Sequence, residues 1–365
     1  MEYLLWIATA GLLAYETWFF VPVWRLKFRS KYGRKPVSVI VAAHNEAERL
    51  EKFLPALMDQ DYPAYEVVVI DDRSTDRTPQ VLEKMSERYG ERLKIVTVEP
   101  QEWKTFRANK KFALTMGIKA ARYDPLLFTD ADCRPASRRW IARMAGALEA
   151  DKDFVLGYGK YEARPVLLNK MIRFETVQTA LQYTGFALRG MPYMGVGRNL
   201  MYRRSFFLDK GGFGRFFTVM SGDDDLFVNQ WARSANTAVC LHPEAHTVSV
   251  PPASWKSWFV QKRRHITTAR YYRPVHRLLL GGYALARLLF WTVGLWGLVS
   301  LAWQPWTVGL MALRAGLYSA RIRQASVKWQ DRLPLWWIVP AEGMLVYFHL
   351  LLGLSNLIKK PQRWH

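Results

Sequence analysis

The stretch Leu126-Leu127-Phe128-Thr129-Asp130-Ala131-Asp132-Cys133-Arg134-Pro135 places two carboxylates directly after an apolar run. The run predicts the end of a buried strand, which Arg134-Pro135 is expected to stop. Because residues i and i+2 lie on the same face of an extended chain, Asp130 and Asp132 are expected to converge at the carboxyl end of this strand. Mg²⁺ or Mn²⁺ between them would remove their repulsion and bind phosphate oxygens. For this pattern alone, a polar corner between a strand and a loop is the alternative.

The composition indicates an anionic partner and a membrane. The chain of 365 residues has 52 Lys and Arg against 31 Asp and Glu, a formal net charge of +21. Such a charge suits nucleic acid, a phosphorylated substrate or an acidic membrane surface. Half of the residues are hydrophobic and 16 are Trp, which concentrates at membrane interfaces. The two cysteines, Cys133 and Cys240, give no disulfide framework and fit a reducing cytosol.

An N-terminal membrane anchor is predicted. Tyr3 to Trp24 is apolar except for Glu16 and is long enough to cross about 30 Å of hydrocarbon. By the positive-inside rule, the basic residues that follow it stay in the cytosol. They are Arg25, Lys27, Arg29, Lys31, Arg34 and Lys35. We therefore expect a signal anchor at 1–24, a basic linker at 25–35 and a cytosolic domain at 36–275, in a protein of the inner (cytoplasmic) membrane.

A C-terminal membrane region is predicted at 276–365, with apolar segments near 278–302, 306–320 and 333–357. The middle segment is short and contains Arg314, and the last holds Glu342. Three spans would leave three basic residues outside, against the charge rule. These are Lys359, Lys360 and Arg363. Either the middle segment or part of the last one is re-entrant or interfacial, or the charge rule fails here, so the count stays open between two and three spans.

Strands and helices are predicted to alternate within the cytosolic domain. Val37 to Ala43 and Val67 to Ile70 are β-branched runs, typical of strands buried on both faces. Lys94 to Val98 is a third strand, and the run before the two acids is a fourth. Helical segments lie between them, the first with Asn45 as its expected cap and the third with Lys110 to Ala120. This order predicts a parallel, doubly wound α/β sheet with ligands at the carboxyl ends of its strands.

Acidic residues follow three of the predicted strands. They are Glu46, Asp71, Asp72, Asp130 and Asp132. No G-x-G-x-x-G segment accompanies them, which argues against a dinucleotide cofactor. Carboxylates at these positions suit hydroxyl and imide donors, such as a ribose or a uracil, together with a metal for a diphosphate. Taken alone, Glu46 could be only a helix cap.

These segments resemble the family 2 inverting glycosyltransferases, and the resemblance covers roughly Val37 to Arg264. It rests on Val37–Glu46, on Val69–Asp76 and on Asp130-Ala131-Asp132. Asn109–Leu114 is similar to the family's G-K-x-x-A-L segment, with Asn in place of Gly. The resemblance implies a GT-A fold and a nucleotide-diphosphate sugar as donor, with uridine as the preferred nucleotide.

The resemblance also implies roles for particular side chains. Glu46 and Asp72 would hold the nucleoside and Lys110 the diphosphate. Asp130 and Asp132 would hold the metal with the diphosphate. Three neighbouring residues are expected to complete the nucleotide-sugar site: Ala43, Asn45 and Asp71.

Ser221-Gly222-Asp223-Asp224-Asp225-Leu226 places three acids before an apolar helix. Acids there complement the helix dipole, so one or two of them could do only that. The segment is similar to the G-D-D segment of hyaluronan synthases, which implies Asp224 as the general base beside Asp223 and Asp225. The register of the base stays open by one residue. A carboxylate base needs a raised pKa near neutral pH, which its acidic neighbours would supply.

Two more segments extend the resemblance. Gln261-Lys262-Arg263-Arg264-His265 is similar to the family's Q-x-x-R-W motif, with His in place of Trp. It implies donor contacts from Gln261 and Arg264 and an acceptor contact from His265, with a solvated or lipid-facing basic patch as the alternative. Gly195–Leu200 resembles a small-residue acceptor segment, whose contacts would come from Gly197 and Asn199; an ordinary turn is its alternative. Amphipathic stripes near 167–181 and 255–262 are expected to lie in the membrane interface.

The number of predicted membrane segments favours one kind of acceptor over another. One predicted span before the domain and two or three segments after it resemble ceramide glucosyltransferases, and they are few for the channel of a polysaccharide synthase. We therefore expect inverting transfer of one sugar to a hydroxyl of a membrane lipid. The alternative is a processive synthase, as in hyaluronan and cellulose synthases, that extends a glycan. A basic protein that binds nucleic acid would not need acids at successive strand ends, so nucleic acid is not expected as a partner.

Overall fold

The computed structural model describes residues 2–28, 31–98, 110–219, 221–300 and 304–358. They fall into two compact units. The α/β unit contains 28–162 and 190–251, and the helical unit contains 2–27, 163–189 and the described residues from 252 onward. Predictions made for five residues lie outside the described ranges: Arg29, Asn109, Lys359, Lys360 and Arg363.

The described part of the α/β unit has ten strands. They are β1 (Val37–Ala43), β2 (Tyr65–Asp71), β3 (Leu93–Thr97), β4 (Pro125–Asp130), β5 (Cys133–Pro135), β6 (Phe154–Leu156), β7 (Gly159–Tyr161), β8 (Leu200–Arg203), β9 (Thr237–Val239) and β10 (Thr247–Ser249). Seven form one sheet in the order β3-β2-β1-β4-β8-β6-β9, and β5, β10 and β7 form a second sheet. The first four strands of the large sheet are parallel, whereas β8 is antiparallel to β4 and β6.

The predicted doubly wound α/β fold is confirmed, since helices cover both faces of the parallel strands. On one face, Val39 of β1 belongs to a buried core with side chains of α2 (Ala47–Met58) and α5 (Trp140–Ala147). On the other face, α4 (Lys110–Ala120) approaches so closely that a Cβ at Gly117 would lie 2.4 Å from Cδ1 of Ile70. This glycine is needed for the close approach of α4 to the sheet. The remaining α-helices in the described part of the unit are α3 (Thr78–Tyr89), α7 (Arg204–Asp209) and α8 (Asp225–Trp231).

Two local predictions were wrong. Arg134-Pro135 does not stop the chain's extended course, because both residues belong to β5, which pairs with β10 in the second sheet. Asn45 does not cap α2, whose N-cap is Glu46. Asn45 instead has a φ of 55°, and its Oδ1 accepts hydrogen bonds from the backbone N–H groups of Thr75 and Asp76. The left-handed backbone turns the amide away from its own helix and towards the loop that follows β2.

Six α-helices make up most of the described part of the helical unit. They are α1 (Glu2–Arg25), α6 (Leu167–Leu188), α9 (Trp255–Ile266), α10 (Pro274–Val299), α11 (Pro305–Lys328) and α12 (Leu335–Ile358). Among the described residues, α1, α10 and α12 are long and apolar enough to cross a membrane. The predicted apolar segments therefore correspond to real helices, and the middle one is a full 24 residues long.

Helix α11 runs parallel to α1 along its whole length. At one end, the Thr307 hydroxyl contacts the Glu2 carboxylate. At the other end, the Lys328 ammonium donates to the backbone carbonyls of Trp24 and Leu26. Because its two ends match those of α1, α11 extends over the same depth as the predicted anchor, although it carries several basic residues.

A buried network of charges connects the helices of this unit. The Arg314 guanidinium of α11 donates to both carboxylate oxygens of Glu342 on α12, at 2.5 and 2.7 Å, and also pairs with Glu16 of α1. Arg287 of α10 lies 3.3 Å from Glu342 and 3.2 Å from the amide oxygen of Gln178 on α6. Charges at this depth are tolerated because each has an opposite partner. The polar residues that interrupt the apolar segments are thus paired with one another.

The two amphipathic stripes form helices that are partly buried within the unit. In α6, polar as well as apolar residues are buried, from Leu168 to Phe186. In α9, Trp258 stacks on Phe348 of α12 with ring centroids 4.2 Å apart, whereas Trp255 is exposed. For α6, the expected membrane-facing stripe is therefore largely packing inside the unit.

Candidate active site

The register of the parallel strands brings the acids of the α/β unit to one edge of the sheet. Ala43, at the end of β1, pairs with Asp71 of β2, and Ala42 pairs with Asp130 of β4. The backbone N–H of Asp72 donates to the carbonyl of Ala43 at 2.8 Å. The predicted nucleotide-sugar residues at these three strand ends therefore do lie together, with β1 at the centre.

The two acids predicted to hold the nucleoside each have an arginine partner. Nη1 of Arg49 donates to both carboxylate oxygens of Glu46, at 2.7 and 2.8 Å. Nε of Arg73 donates to Oδ1 of Asp72 at 2.7 Å. Burial raises the pKa of Glu46, and Arg49 opposes this effect. A donor that uses these carboxylates has to share them with the two guanidinium groups, which sequence reasoning did not identify.

An open cleft of about 760 Å³ lies next to Asp71. Its walls include Arg73 and Thr75 from the loop after β2, and Ile95 and Val98 at β3. Oδ1 of Asp71 accepts a hydrogen bond from the backbone N–H of Ser74, which holds this loop against the strand end. Most of the residues that line the cleft are polar or charged, including Glu83 and Glu87 of α3.

Asp130 and Asp132 converge, although not in the way that the sequence suggested. Strand β4 ends at Asp130, and Asp132 lies in a turn rather than in an extended segment. One ligand atom each of Asp130, Asp132 and Cys133 lies within 4.8 Å of the others. Burial and the charge of Asp130 raise the pKa of Asp132. The repulsion from Asp130 is the second cause after burial, and a cation between the two carboxylates would remove it.

The donor set of this cluster fits a hard divalent cation. Carboxylate oxygens are the ligands that Mg²⁺ and Mn²⁺ prefer, and both acids supply them. Burial raises the pKa of the Cys133 thiol well above its usual value, and its Sγ lies 3.2 Å from Oδ1 of Asp132. The thiol therefore stays protonated and serves as a neighbour of the carboxylate, whereas Asp130 and Asp132 could hold the metal.

Lys110 connects this cluster to the acidic segment after Gly222. Its Nζ lies 2.8 Å from Oδ1 of Asp130 and 3.5 Å from Oδ2 of Asp223. Burial alone would lower the pKa of the Lys110 ammonium, but Asp130 and Asp223 raise it above its usual value. Lys110 therefore keeps its positive charge at neutral pH, at the first position of α4.

Asp224 is held by two backbone amides. Its Oδ2 accepts from the N–H of Gly197 at 2.6 Å, and its Oδ1 accepts from the N–H of Asp225 at 2.7 Å, at the start of α8. Gly222 has a φ of 98°, a left-handed turn that suits glycine and leads the chain into this segment. Burial, followed by the charges of Asp223 and Asp225, raises the pKa of Asp224 to about 7. A group with this pKa is suited to accept a proton near neutral pH.

The three acids of this segment have different surroundings. Asp223 and Asp224 line one cavity together with Lys110, Asp130 and Gly197. Asp225 is buried, and its Oδ1 accepts from the N–H of Leu226 inside α8. The geometry thus favours the first two acids for chemistry and gives the third a role at the helix start.

Of the two predicted acceptor residues in the α/β unit, only Gly197 faces this cavity. A Cβ at Gly197 would lie 3.3 Å from Oδ2 of Asp224, so the glycine permits the close contact between its N–H and the carboxylate. Asn199 is fully buried, and its amide accepts from Nε1 of Trp140 and donates to the carbonyls of Tyr158 and Ala245. The structure therefore gives Asn199 a role inside the fold instead of the expected contact with an acceptor.

The Q-x-x-R-type segment lies in α9 of the helical unit, and two of its basic residues are tied down there. Nζ of Lys262 lies 2.6 Å from the carboxylate of Glu175 on α6. Nε of Arg263 donates to Oδ1 of Asn356 on α12 at 3.0 Å. Gln261 and Arg264, for which donor contacts are predicted, are half-buried. His265, for which an acceptor contact is predicted, is exposed. Their contacts with donor and acceptor stay predictions.

Sequence reasoning missed Lys111, the residue after Lys110. Its side chain is buried, and its Nζ donates to the backbone carbonyls of Val219 and Ser221, the latter at 2.7 Å. Burial lowers the pKa of this ammonium. This buried lysine donates to backbone carbonyls of the loop that precedes Asp223 and Asp224, and it thereby holds that loop in place. A second lysine in an otherwise apolar stretch of α4 was the only signal in the sequence.

Comparison with known proteins finds a family for residues 38–209. The family described as Glycosyl transferase family 2 matches residues 38–209, which contain the strand-end acids and Lys110. This part of the chain is a glycosyltransferase family 2 domain. The family resemblance predicted for Val37 to Arg264 is therefore confirmed for residues 38–209.

Individual relatives agree with this assignment of the glycosyltransferase domain. "Probable glycosyltransferase YdaM" of Bacillus subtilis is 26% identical over 254 residues, 67% of this chain and 57% of the relative. "Beta-monoglucosyldiacylglycerol synthase" of Nostoc sp. is 34% identical over 103 residues, 28% of this chain and 21% of the relative. The matches thus span 57% or less of the length of these two curated relatives.

A solved structure shares the fold of this chain. The mannosyltransferase PcManGT from Pyrobaculum calidifontis, solved in complex with GDP-Man and Mn²⁺, matches with a TM-score of 0.64. The match covers 99% of both chains at 19% sequence identity. At this identity the likeness is one of fold, and it confirms the GT-A-type arrangement expected from the sequence.

Proposed function

We propose that this chain transfers a sugar from a nucleotide-diphosphate sugar to a hydroxyl of a membrane lipid, with inversion at the anomeric carbon. The observation that carries the proposal is the cavity in which Lys110 lies between Asp130 and Asp223, with Asp224 in the same wall. Such a transfer has to bring the diphosphate of the donor into one site with a general base that takes the proton of the acceptor hydroxyl.

On the donor side, Asp71, Asp72 and Glu46 bind the nucleoside next to the cleft, with uridine as the nucleotide that the family resemblance implies. Asp130 and Asp132 would hold Mg²⁺ or Mn²⁺, which when bound neutralises charge on the departing diphosphate. The Lys110 ammonium adds positive charge at the same place, where negative charge develops as the sugar leaves. Gln261 and Arg264 are proposed as further diphosphate contacts, and His265 as an acceptor contact.

On the acceptor side, Asp224 accepts the proton of the attacking hydroxyl. The hydroxyl oxygen forms a bond with the anomeric carbon while the bond from that carbon to the diphosphate breaks, which inverts the configuration. The N–H groups of Gly197 and Asp225 fix the carboxylate so that it does not reorient during proton transfer. General-base catalysis of this kind is worth about 10²–10⁴ in rate.

A lipid acceptor is supported by the helices and by one relative. Three described helices are long and apolar enough to cross a membrane, which would keep the enzyme beside lipid hydroxyls. A relative is named as a synthase of monoglucosyldiacylglycerol, a glycosylated lipid. We place the enzyme in the inner (cytoplasmic) membrane with the glycosyltransferase domain in the cytosol, because basic residues follow the first helix.

Product analysis tests the proposal. The purified protein in lipid vesicles receives labelled nucleotide sugars with Mg²⁺ or Mn²⁺ and extracted membrane lipid. We expect one sugar on a lipid in the organic phase, identified by mass spectrometry, and no such product from Asp132→Ala. A ladder of polymer in the aqueous phase would instead make the chain a processive polysaccharide synthase.

A further inference from the structure

The helical unit contains a groove that the proposed reaction does not use. It has a volume of about 550 Å³ and lies between α11 and the first turns of α12. Small residues of α11, among them Ala315 and Gly316, leave the space open, and Leu335 and Val339 of α12 form the opposite wall. Exposed apolar side chains on both helices, such as Leu313 and Leu335, indicate that this surface faces lipid rather than water.

The groove changes from polar to apolar along α11. Arg323, Ser319 and Ala315 are four residues apart in turn, so they lie on one face and each step along the helix is about 6 Å. The Arg323 end is the one at which Lys328 contacts Trp24, next to the basic linker after α1. If the basic linker is cytosolic, the polar end of the groove is at the cytosolic surface of the membrane.

Two polar groups in the groove point to a ligand. Ser319 is only 6% exposed, and its hydroxyl has no hydrogen-bond partner among the described residues. A buried hydroxyl without a partner is costly, so a ligand that bonds to it would be favoured. The guanidinium of Arg323 donates to the carbonyl of Leu333, and no carboxylate within the described ranges pairs with it. Its other N–H groups are left for an anion.

We propose that this groove binds a glycerophospholipid of the membrane. The lipid phosphate accepts hydrogen bonds from Arg323, an acyl ester carbonyl accepts one from the Ser319 hydroxyl, and the acyl chain extends past Ala315, Gly316 and Val339. The ester decides between phosphate-bearing lipids, because a polyprenyl phosphate has a phosphate and an apolar chain but no carbonyl for Ser319. Basic pockets between membrane helices on the cytosolic side bind anionic lipid headgroups in general. This site lies beyond the proposed transfer reaction and does not depend on it.

Filling the groove tests its occupancy. A Cβ at Gly316 meets no atom within 4 Å, and the same holds for Gly309, which lies two turns away on α11 and does not line the groove. Gly316→Leu and Gly309→Leu are therefore matched changes. Native mass spectrometry of the full-length protein in detergent, titrated with dioleoylphosphatidylglycerol, measures binding. We expect wild type and Gly309→Leu to retain one phospholipid and Gly316→Leu to bind at least about tenfold more weakly.

Charge and ester recognition are tested with two further variants. Arg323→Gln should weaken phospholipid binding by about tenfold or more. The control is Arg332→Gln, which should leave binding unchanged because Arg332 is exposed and lies outside the groove. Ser319→Ala should weaken binding of the phospholipid but not of a polyprenyl phosphate.

Equal lipid retention by Gly316→Leu and Gly309→Leu would overturn the proposal, since it means non-specific annular lipid only. Tighter binding of the polyprenyl phosphate than of the phospholipid would also overturn it.

Discussion

At the scale of single residues, the raised pKa of Asp224 has a direct consequence for activity. A general base works only when it is deprotonated, and burial with two acidic neighbours raises the pKa of this carboxyl to about 7. We therefore predict that kcat/KM rises about tenfold per pH unit below neutral pH and levels off above it. Asp225→Asn keeps an oxygen for the N–H of Leu226 but removes a negative charge, so the rising limb should move to lower pH. An unchanged limb in this variant would contradict the assignment of the limb to Asp224.

Lys111 provides a second prediction at this scale. Its ammonium holds the carbonyls of Val219 and Ser221, just before the acidic segment. Lys111→Met should displace Asp224 and lower kcat by about 10²-fold, because small misplacements of a catalytic group are costly, while KM for the donor changes less. Lys119→Met, on the same helix but exposed, is the control. A larger effect on donor KM than on kcat would exclude the positioning role.

At the scale of elements, the anchoring of α9 can be tested. Glu175 of α6 is buried and pairs with Lys262 of α9 at 2.6 Å. Glu175→Gln leaves the ammonium of Lys262 without its counter-charge, which should lower the free energy of unfolding by about 3–5 kcal/mol in thermal or chaotrope unfolding. The double variant Glu175→Gln/Lys262→Met removes both charges and should regain most of this loss. A double variant as unstable as the single one would show that the ion pair is not the cause.

The elements also show what the sequence could predict. Strand β1 has the predicted bounds, Val37–Ala43, because a β-branched run that is buried on both faces can be recognised from the local sequence alone. The antiparallel β8 and the turn at Asp132 depend on pairing with residues far along the chain, which local patterns do not reveal. The strand-end acids were found because parallel strands place their carboxyl ends together. Arg49 and Arg73, which pair with two of those acids, were missed because surface-type basic residues give no signal in a chain with this many of them.

At the scale of the whole molecule, the buried charges of the helical unit join segments that are far apart in sequence. Arg314 connects Glu16 and Glu342, 298 and 28 residues away. In the sequence these residues are recognisable only as polar interruptions of apolar segments. Their pairing with one another becomes visible only when the helices are packed together. We predict that Arg314→Leu lowers the free energy of unfolding by about 3–5 kcal/mol, because Glu16 and Glu342 each lose one buried guanidinium partner. Arg277→Leu, at an exposed position of α10, should unfold at the wild-type temperature in the same thermal scan.

The central claim is that Asp224 is the base of a sugar transfer from a donor bound at the strand ends. The most direct measurement compares wild type and Asp224→Asn in donor binding and in transfer of a labelled sugar to lipid. Asparagine keeps an oxygen for the N–H of Gly197, loses the acceptor for the N–H of Asp225 and cannot take a proton. We predict unchanged affinity for the nucleotide sugar and a transfer rate lower by about 10²–10⁴-fold. A variant that binds the donor and transfers sugar at the wild-type rate would contradict the account.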